Sequence, residues 1–385
     1  MKNGKVDIRK WLKNRPENYD FVEDTQKNNE VCDFGKIDNP YKKFFIYKHN
    51  TEEKDKRPRW DILDRVEDED LKTKFMYGRE KFLCEAEKYE IDDPDSASYM
   101  LQEIYKILWP ELVEKKFMKQ RDKIASDTMT SAMVRFTDSM KAIIGDNRNA
   151  EATDEYAVIL KQISAVYTAC GKSQHWWSQN FSIIVTAVLD EEFYKLINDK
   201  YYCMPCFLDK IHTIGNYCPV PAGFNGARSG AYGEHDYWDL TLQKIYEWYC
   251  TYDKIECCDG NVDIGRIENV RDNLIQKQLM HGVGHQLNCV KWLETFGKGK
   301  IGWRNFVDYL YMQDYVMDAE NDDYTPKLFW KGHDWEHPAI SYIENCKDEE
   351  RKIAIINERL QEISIRITAR SIRIVNACRK KLSET

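Results

Sequence analysis

Between Ile211 and Tyr249 the chain reads IHTIGNYCPVPAGFNGARSGAYGEHDYWDLTLQKIYEWY, and within it stand two Pro, five Gly, two Asn, one Arg, two His and two Asp. Asn225, Gly226, Ala227 and Arg228 form a small-residue turn that lets backbone N–H groups approach a ligand, while Arg offers a planar fork for phosphate or carboxylate. His212 and Asn216 lie just upstream, so polar groups can converge near the N-terminus of the following helix, itself an anion site. In this reading Asn216, Asn225, Arg228, Asp236 and Asp239 bind a ligand, and His212 or His235 does acid–base work. A purely structural account fits the same residues. Asp236 stands at an N-cap position with Asp239 three residues later, as in a capping box, and Arg228 can pair with either Asp to lock the loop.

A metal is the second chemistry to test. His281 and His285, in LMHGVGHQLNCVKW, are one helical turn apart, while Leu279, Val283, Leu287 and Val290 line the opposite side. That places the two His with Asn288 and Trp292, on a face suited to a polar cleft, a divalent-metal site or ordinary surface. Gly282 and Gly284 weaken the helix there by about 1 kcal/mol each relative to Ala. The pair in WKGHDWEHP has the same spacing, but His337 precedes Pro338 and is biased out of the helical region. Cys203 and Cys206, as CMPC, are half of a zinc pattern with no second pair at standard spacing. Walker, dinucleotide, nucleophile-elbow and kinase signatures are absent from the sequence.

The elements that must position these residues are read from periodicity. Strand-like alternation is scarce, and helical periods recur in DEYAVILKQISAVYTAC, FSIIVTAVLDEEFYKLIND, YWDLTLQKIYEWYC, IENVRDNLIQKQLMHGVGHQLNCVKWLETF and WRNFVDYLYMQDYVMDA. In DDPDSASYMLQEIYKILWPELVEKKF a cap at Asp95 or Ser96 opens a helix with Met100, Leu101, Ile104 and Leu108 on one face, stopped by Pro110. Near the C-terminus Ile353, Ile356, Leu360, Ile363 and Ile367 step by 3 and 4 in a heptad seam, which can pack along the chain's own body or join two chains as a homo-oligomer. The fold class predicted is mainly α: a charged N-terminal region over 1–88, bearing short helices, and a large helical domain over 89–385 with a Gly/Pro-rich central loop, a long C-terminal helix and few or no strands.

Composition limits the partners. At 385 residues the chain has ample length to bury a core, and 13% of it is aromatic against 32% charged. A net charge of −8 excludes coating nucleic acid by bulk electrostatics, though a local basic groove fits. The chain has no apolar run of membrane-spanning length and no secretory signal, and its twelve Cys are spread widely. The expectation is a cytoplasmic protein with reduced thiols, not bound to membrane.

The stretches DPDSASYMLQEIYKILWP, SDTMTSA, HTIGNYCPVPAGFNGARSG, DYWDLTLQKIYEWY and NFVDYLYMQDYVMD, in that order, resemble the blocks of an uncharacterised bacterial and phage-associated family, a domain of unknown function. Asn225, Gly226, Ala227, Arg228, Asp236, Asp239, Leu240, Thr241 and Leu242 fit its Asn-Gly-Ala-Arg-Gly and Asp-Arg-Phe-Asp-Leu-Thr-Leu blocks, with departures at Ser229, Tyr237 and Trp238. The resemblance covers about Asp92 to the C-terminal helix and carries no mechanism with it. HTIGNY is also similar to the His-x-Ile-Gly-Asn turn of HNH-type nuclease modules, but the Asp-x-x-His element those modules need upstream is missing from YCMPCFLDK. The functional expectation is a phosphate-ligand or nucleic-acid-handling site at the 211–240 loop, of the kind a phage-defence or toxin effector would carry. The alternative is a non-catalytic interaction protein acting through its C-terminal helix and aromatic surface.

Overall fold

The computed structural model describes residues 7–14, 16–27, 32–52, 60–130, 139, 143, 154–170, 191–224, 238–256, 285–328, 346 and 348–384. These residues are mainly helical. The longer helices are α1 (Pro40–Thr51), α2 (Glu69–Ala86), α3 (Tyr99–Leu108), α4 (Glu155–Cys170), α5 (Glu191–Lys200), α6 (Cys203–Lys210), α7 (Trp238–Glu256), α8 (His285–Glu294), α9 (Gly299–Tyr309) and α10 (Glu349–Ser383). The strands β1 (Lys119–Gln120), β2 (Lys123–Ile124), β3 (Ser126–Thr128), β4 (Tyr217–Pro219), β5 (Val316–Asp318) and β6 (Asp323–Pro326) pair as three two-stranded antiparallel sheets, β1 with β2, β3 with β4 and β5 with β6.

Local chemistry explains where the helices begin. Asn39 caps α1 by accepting from the Lys42 N–H, and Pro40 fills the first position, where no N–H is needed. Asp68 caps α2 and Asp348 caps α10 in the same manner. For α3 the cap is Ser98, whose hydroxyl accepts from Leu101 N at 3.1 Å, while Asp93 caps the separate short turn Pro94–Ala97. The start is thus two to three residues later than Asp95 or Ser96, and the expected stripe of Met100, Leu101, Ile104 and Leu108 is buried. The period read through WRNFVDYLYMQDYVMDA breaks early. Helix α9 ends at Tyr309, Tyr311 takes a left-handed φ of 57°, and the remainder becomes a short turn and the β5–β6 hairpin.

The charged N-terminal stretch builds more than short helices. Helix α1 has 12 residues and α2 has 18, with Phe44 and Phe45 buried on the first and Leu71, Phe75 and Phe82 on the second. Sparse aromatic positions carry the stripe, because one Phe buries enough apolar area to replace several smaller residues.

Two apolar cores result. In the first, Phe44, Phe75 and Phe82 meet Ile159 and Ile163 of α4, Phe207 of α6, and Ile356, Leu360, Ile363 and Ile367 of α10. The second gathers Trp109, Trp238, Trp248, Trp292 and Trp303 with Ile374, Val375 and Cys378 of α10. The heptad seam therefore faces the chain's own core, and α10, with 35 residues and a length of about 52 Å, runs through both cores.

The turn Ile214–Asn216, between the two cores, lies directly on α10. A Cβ added at Gly215 would stand 1.9 Å from the Ile367 carbonyl oxygen, so only glycine permits the approach; its N–H donates to Ser371 Oγ at 2.8 Å. Arg370, wholly buried, clamps the same turn. Its Nη1 donates to the carbonyls of Gly215 (2.8 Å) and Tyr217 (2.7 Å), and Nε and Nη2 donate to the carbonyl of Leu310 (3.2 and 3.1 Å).

Candidate functional site

His212 follows the last turn of α6 and closes one side of a cleft of about 290 Å³. Three stretches distant in sequence form its walls: the turn bearing Asn18, Asp20 and Glu23; Pro40, Lys43 and Phe44 of α1; and Leu208 to His212. The first and third are joined through backbone, Phe21 N–H donating to the His212 carbonyl at 3.1 Å.

Asp20 organises the polar groups. Its Oδ1 accepts from Val22 N at 2.8 Å, which folds the turn, and its Oδ2 lies 2.8 Å from Lys43 Nζ. Lys43 reaches Glu23 Oε1 as well, at 3.3 Å. Lys210 donates to Asn18 Oδ1 across the mouth. His212 Nδ1 stands 3.8 Å from Asp20 Oδ1, beyond hydrogen-bond reach, and its ring meets Tyr47 edge-on with centroids 4.3 Å apart.

The titration behaviour follows from this packing. Burial pushes the His212 imidazole down to about 4 against the pull of Asp20, so it is neutral at pH 7. Burial raises the Glu23 carboxyl above the usual range, with Lys43 opposing, and burial raises Asp209 likewise, with Lys43 and Lys210 opposing. For Lys43 burial favours the neutral amine, but Asp20 and Glu23 outweigh it and hold the pKa above the ordinary lysine value. A cleft lined by a neutral imidazole, raised carboxyls and a paired ammonium can bind a polar ligand and exchange protons with it.

The other expected site residues are placed as follows. Asn216 is fully buried, and its amide serves the backbone: Oδ1 accepts from Thr130 N (2.8 Å), and Nδ2 donates to the carbonyls of Thr130 (3.0 Å) and Ile211 (2.7 Å). Asp239 is buried in the first turn of α7. Asn225, Arg228, His235, Asp236 and His281 lie outside the described residues. His285 is the first residue of α8. The α8 stripe that enters the core is Cys289, Trp292 and Leu293, with Val290 only partly buried, so Trp292 belongs to the core and not to an open face. Asn288 donates to the Ala222 carbonyl at 3.3 Å. Among the described residues no group of three or more His, Cys, Asp or Glu is placed to hold a metal ion. Cys203 is buried and Cys206 exposed, and both are free thiols. No described helix is long and apolar enough to cross a membrane.

Sequence reasoning reaches only His212 of this cleft. Asp20, Glu23, Lys43 and Asp209 are unremarkable charged residues in charged stretches, and no local motif singles them out. Comparison with models of protein families, with curated proteins and with solved structures gives no match.

Proposed function

We propose that the protein binds a small polar ligand carrying a cationic amine in the cleft between the 18–23 turn, α1 and His212. The lining carries this reading: three carboxyls, of Asp20, Glu23 and Asp209, stand with two amines, of Lys43 and Lys210, beside a neutral imidazole, and burial disfavours the charged form of Glu23 and Asp209, which a bound cation would relieve. An ammonium group adds to the Lys43 network by pairing with Glu23 and Asp209, and the neutral imidazole of His212, which lines the same cleft, offers a hydrogen-bond acceptor to what is bound. A phosphate would meet three carboxyls here. The alternative of a phosphate or nucleic acid at the 211–240 loop rests on Asn225 and Arg228, and the cleft adds no cationic surplus to it.

Thermal unfolding of the full chain against a panel of small mono- and diamines, with inorganic phosphate as the anionic counterpart, tests the reading. Stabilisation by at least one amine, removed by Glu23→Gln together with Asp209→Asn, is expected. Stabilisation by phosphate alone, or an amine effect that survives the double substitution, would sink it.

A further inference from the structure

Helix α10 has an outer face as well as the seam that enters the cores. Ile365 and Ile372 keep 55% and 46% of their surface exposed. Seven residues fall within about 20° of two full helical turns, so the two isoleucines stand in one column. The column continues to exposed Glu358 before them and exposed Arg379 after them. Met317 of β5, 57% exposed, and Ile365 line a groove of about 360 Å³ between β5 and α10. Arg379 is held near the column by bonds to Asn376 Oδ1 and the Leu12 carbonyl, both 3.3 Å, and remains exposed.

This face is complementary to itself in reverse. About a centre between Thr368 and Ala369, Ile365 exchanges with Ile372, Gln361 with Asn376 and Glu358 with Arg379. A second copy laid antiparallel along α10 sets isoleucine on isoleucine and amide beside amide. It also sets Glu358 opposite the second copy's Arg379 at both ends, about 31 Å apart. The parallel arrangement would put Glu358 on Glu358 and Arg379 on Arg379, so charge selects the antiparallel one.

We propose that the outer face of α10 is a homodimer interface, an antiparallel two-fold contact with a second copy of this chain. Such a contact is isologous, each patch meeting itself. One helix pair of this length lies at the low end of stable interfaces, near roughly 1,000 Å², so the dimer is reversible and forms in the micromolar range.

Sedimentation velocity of the full chain from about 1 to 100 μM decides it. The expected result is a concentration-dependent shift toward twice the chain mass, with Ile365→Glu and Ile372→Glu monomeric throughout and their circular dichroism unchanged. Glu358→Arg weakens association about tenfold, and adding Arg379→Glu to it restores association. A wild-type chain that stays monomeric over this range overturns the proposal. So does a dimer untouched by Ile372→Glu, or a charge exchange that fails to restore it.

Discussion

The segment Ile211–Tyr217 touches two buried polar neighbourhoods that are built differently. At one end Arg370 places its charge among the carbonyls of Gly215, Tyr217 and Leu310, with four short bonds and no carboxylate among them. Near the other, His212 stands 3.8 Å from Asp20 without a hydrogen bond, beside a cleft in which burial raises the Glu23 and Asp209 carboxyls. The first neighbourhood is satisfied and closed, so it fixes backbone. The second is incompletely satisfied and open to a cavity, which is the condition for taking up a ligand. Burial of charge alone does not separate a site from a brace; what the remaining donors and acceptors face does.

The sharpest way to break the contrast is Arg370→Ala, which leaves three carbonyls without their guanidinium and opens a void. A loss of about 3–5 kcal/mol is expected in urea unfolding, and a loss under 1 kcal/mol would show that the brace is dispensable. Gly215→Ala comes next, at about 3 kcal/mol, since its Cβ would meet the α10 backbone at 1.9 Å. On the cleft side, Lys43→Met should cost about 1–3 kcal/mol, because Asp20 and Glu23 lose their shared cation.

The pH dependence separates the two neighbourhoods again. His212 titrates near 4 when folded against an ordinary 6.5, so between those values the unfolded chain binds more protons and stability rises with pH. The contribution is full above 6.5 and is lost as pH falls toward 4. Glu23 and Asp209, raised by burial, act with the opposite sign just above their ordinary values, so wild type and His212→Gln must be compared. His212→Gln is expected to flatten the slope between pH 4 and 6.5, by at most about 1.4 kcal/mol per pH unit, and an unchanged slope would remove His212 from the titrating set. The smallest effect belongs to Arg373, whose bond to Asp314 at 2.7 Å is exposed. Asp314→Asn should cost under about 1 kcal/mol, although Arg373 sits less than one turn from Arg370.

Much of the fold is legible because it is periodic. The α3 stripe and the α10 seam follow from spacing, since burying one face of a helix requires it. What spacing leaves open is which surface a seam meets, and the structure buries Ile356 to Ile367 in the chain's own first core, with α6 packed against α10. The cleft is not legible. Asp20 and Lys43 are brought to His212 by tertiary packing alone, and each of the two is ordinary in its own stretch. Asn216 shows the converse. Its neighbours invite a ligand reading, while its amide is matched to the peptide groups of Thr130 and Ile211, and sequence does not distinguish an amide that mimics backbone from one that awaits a guest.

Helix α10 also has a bearing on how the chain is made. Ile356 to Ile367 complete one core and Ile374 to Cys378 the other, and both sets are translated after nearly every residue they contact. Until they leave the ribosome, Phe207 and Leu208 on one side and the Trp238–Trp303 cluster on the other lack the surface that covers them, and Gly215 and Tyr217 lack Arg370. Two apolar grooves are thus exposed together late in synthesis. Docking of this one helix is what covers both surfaces.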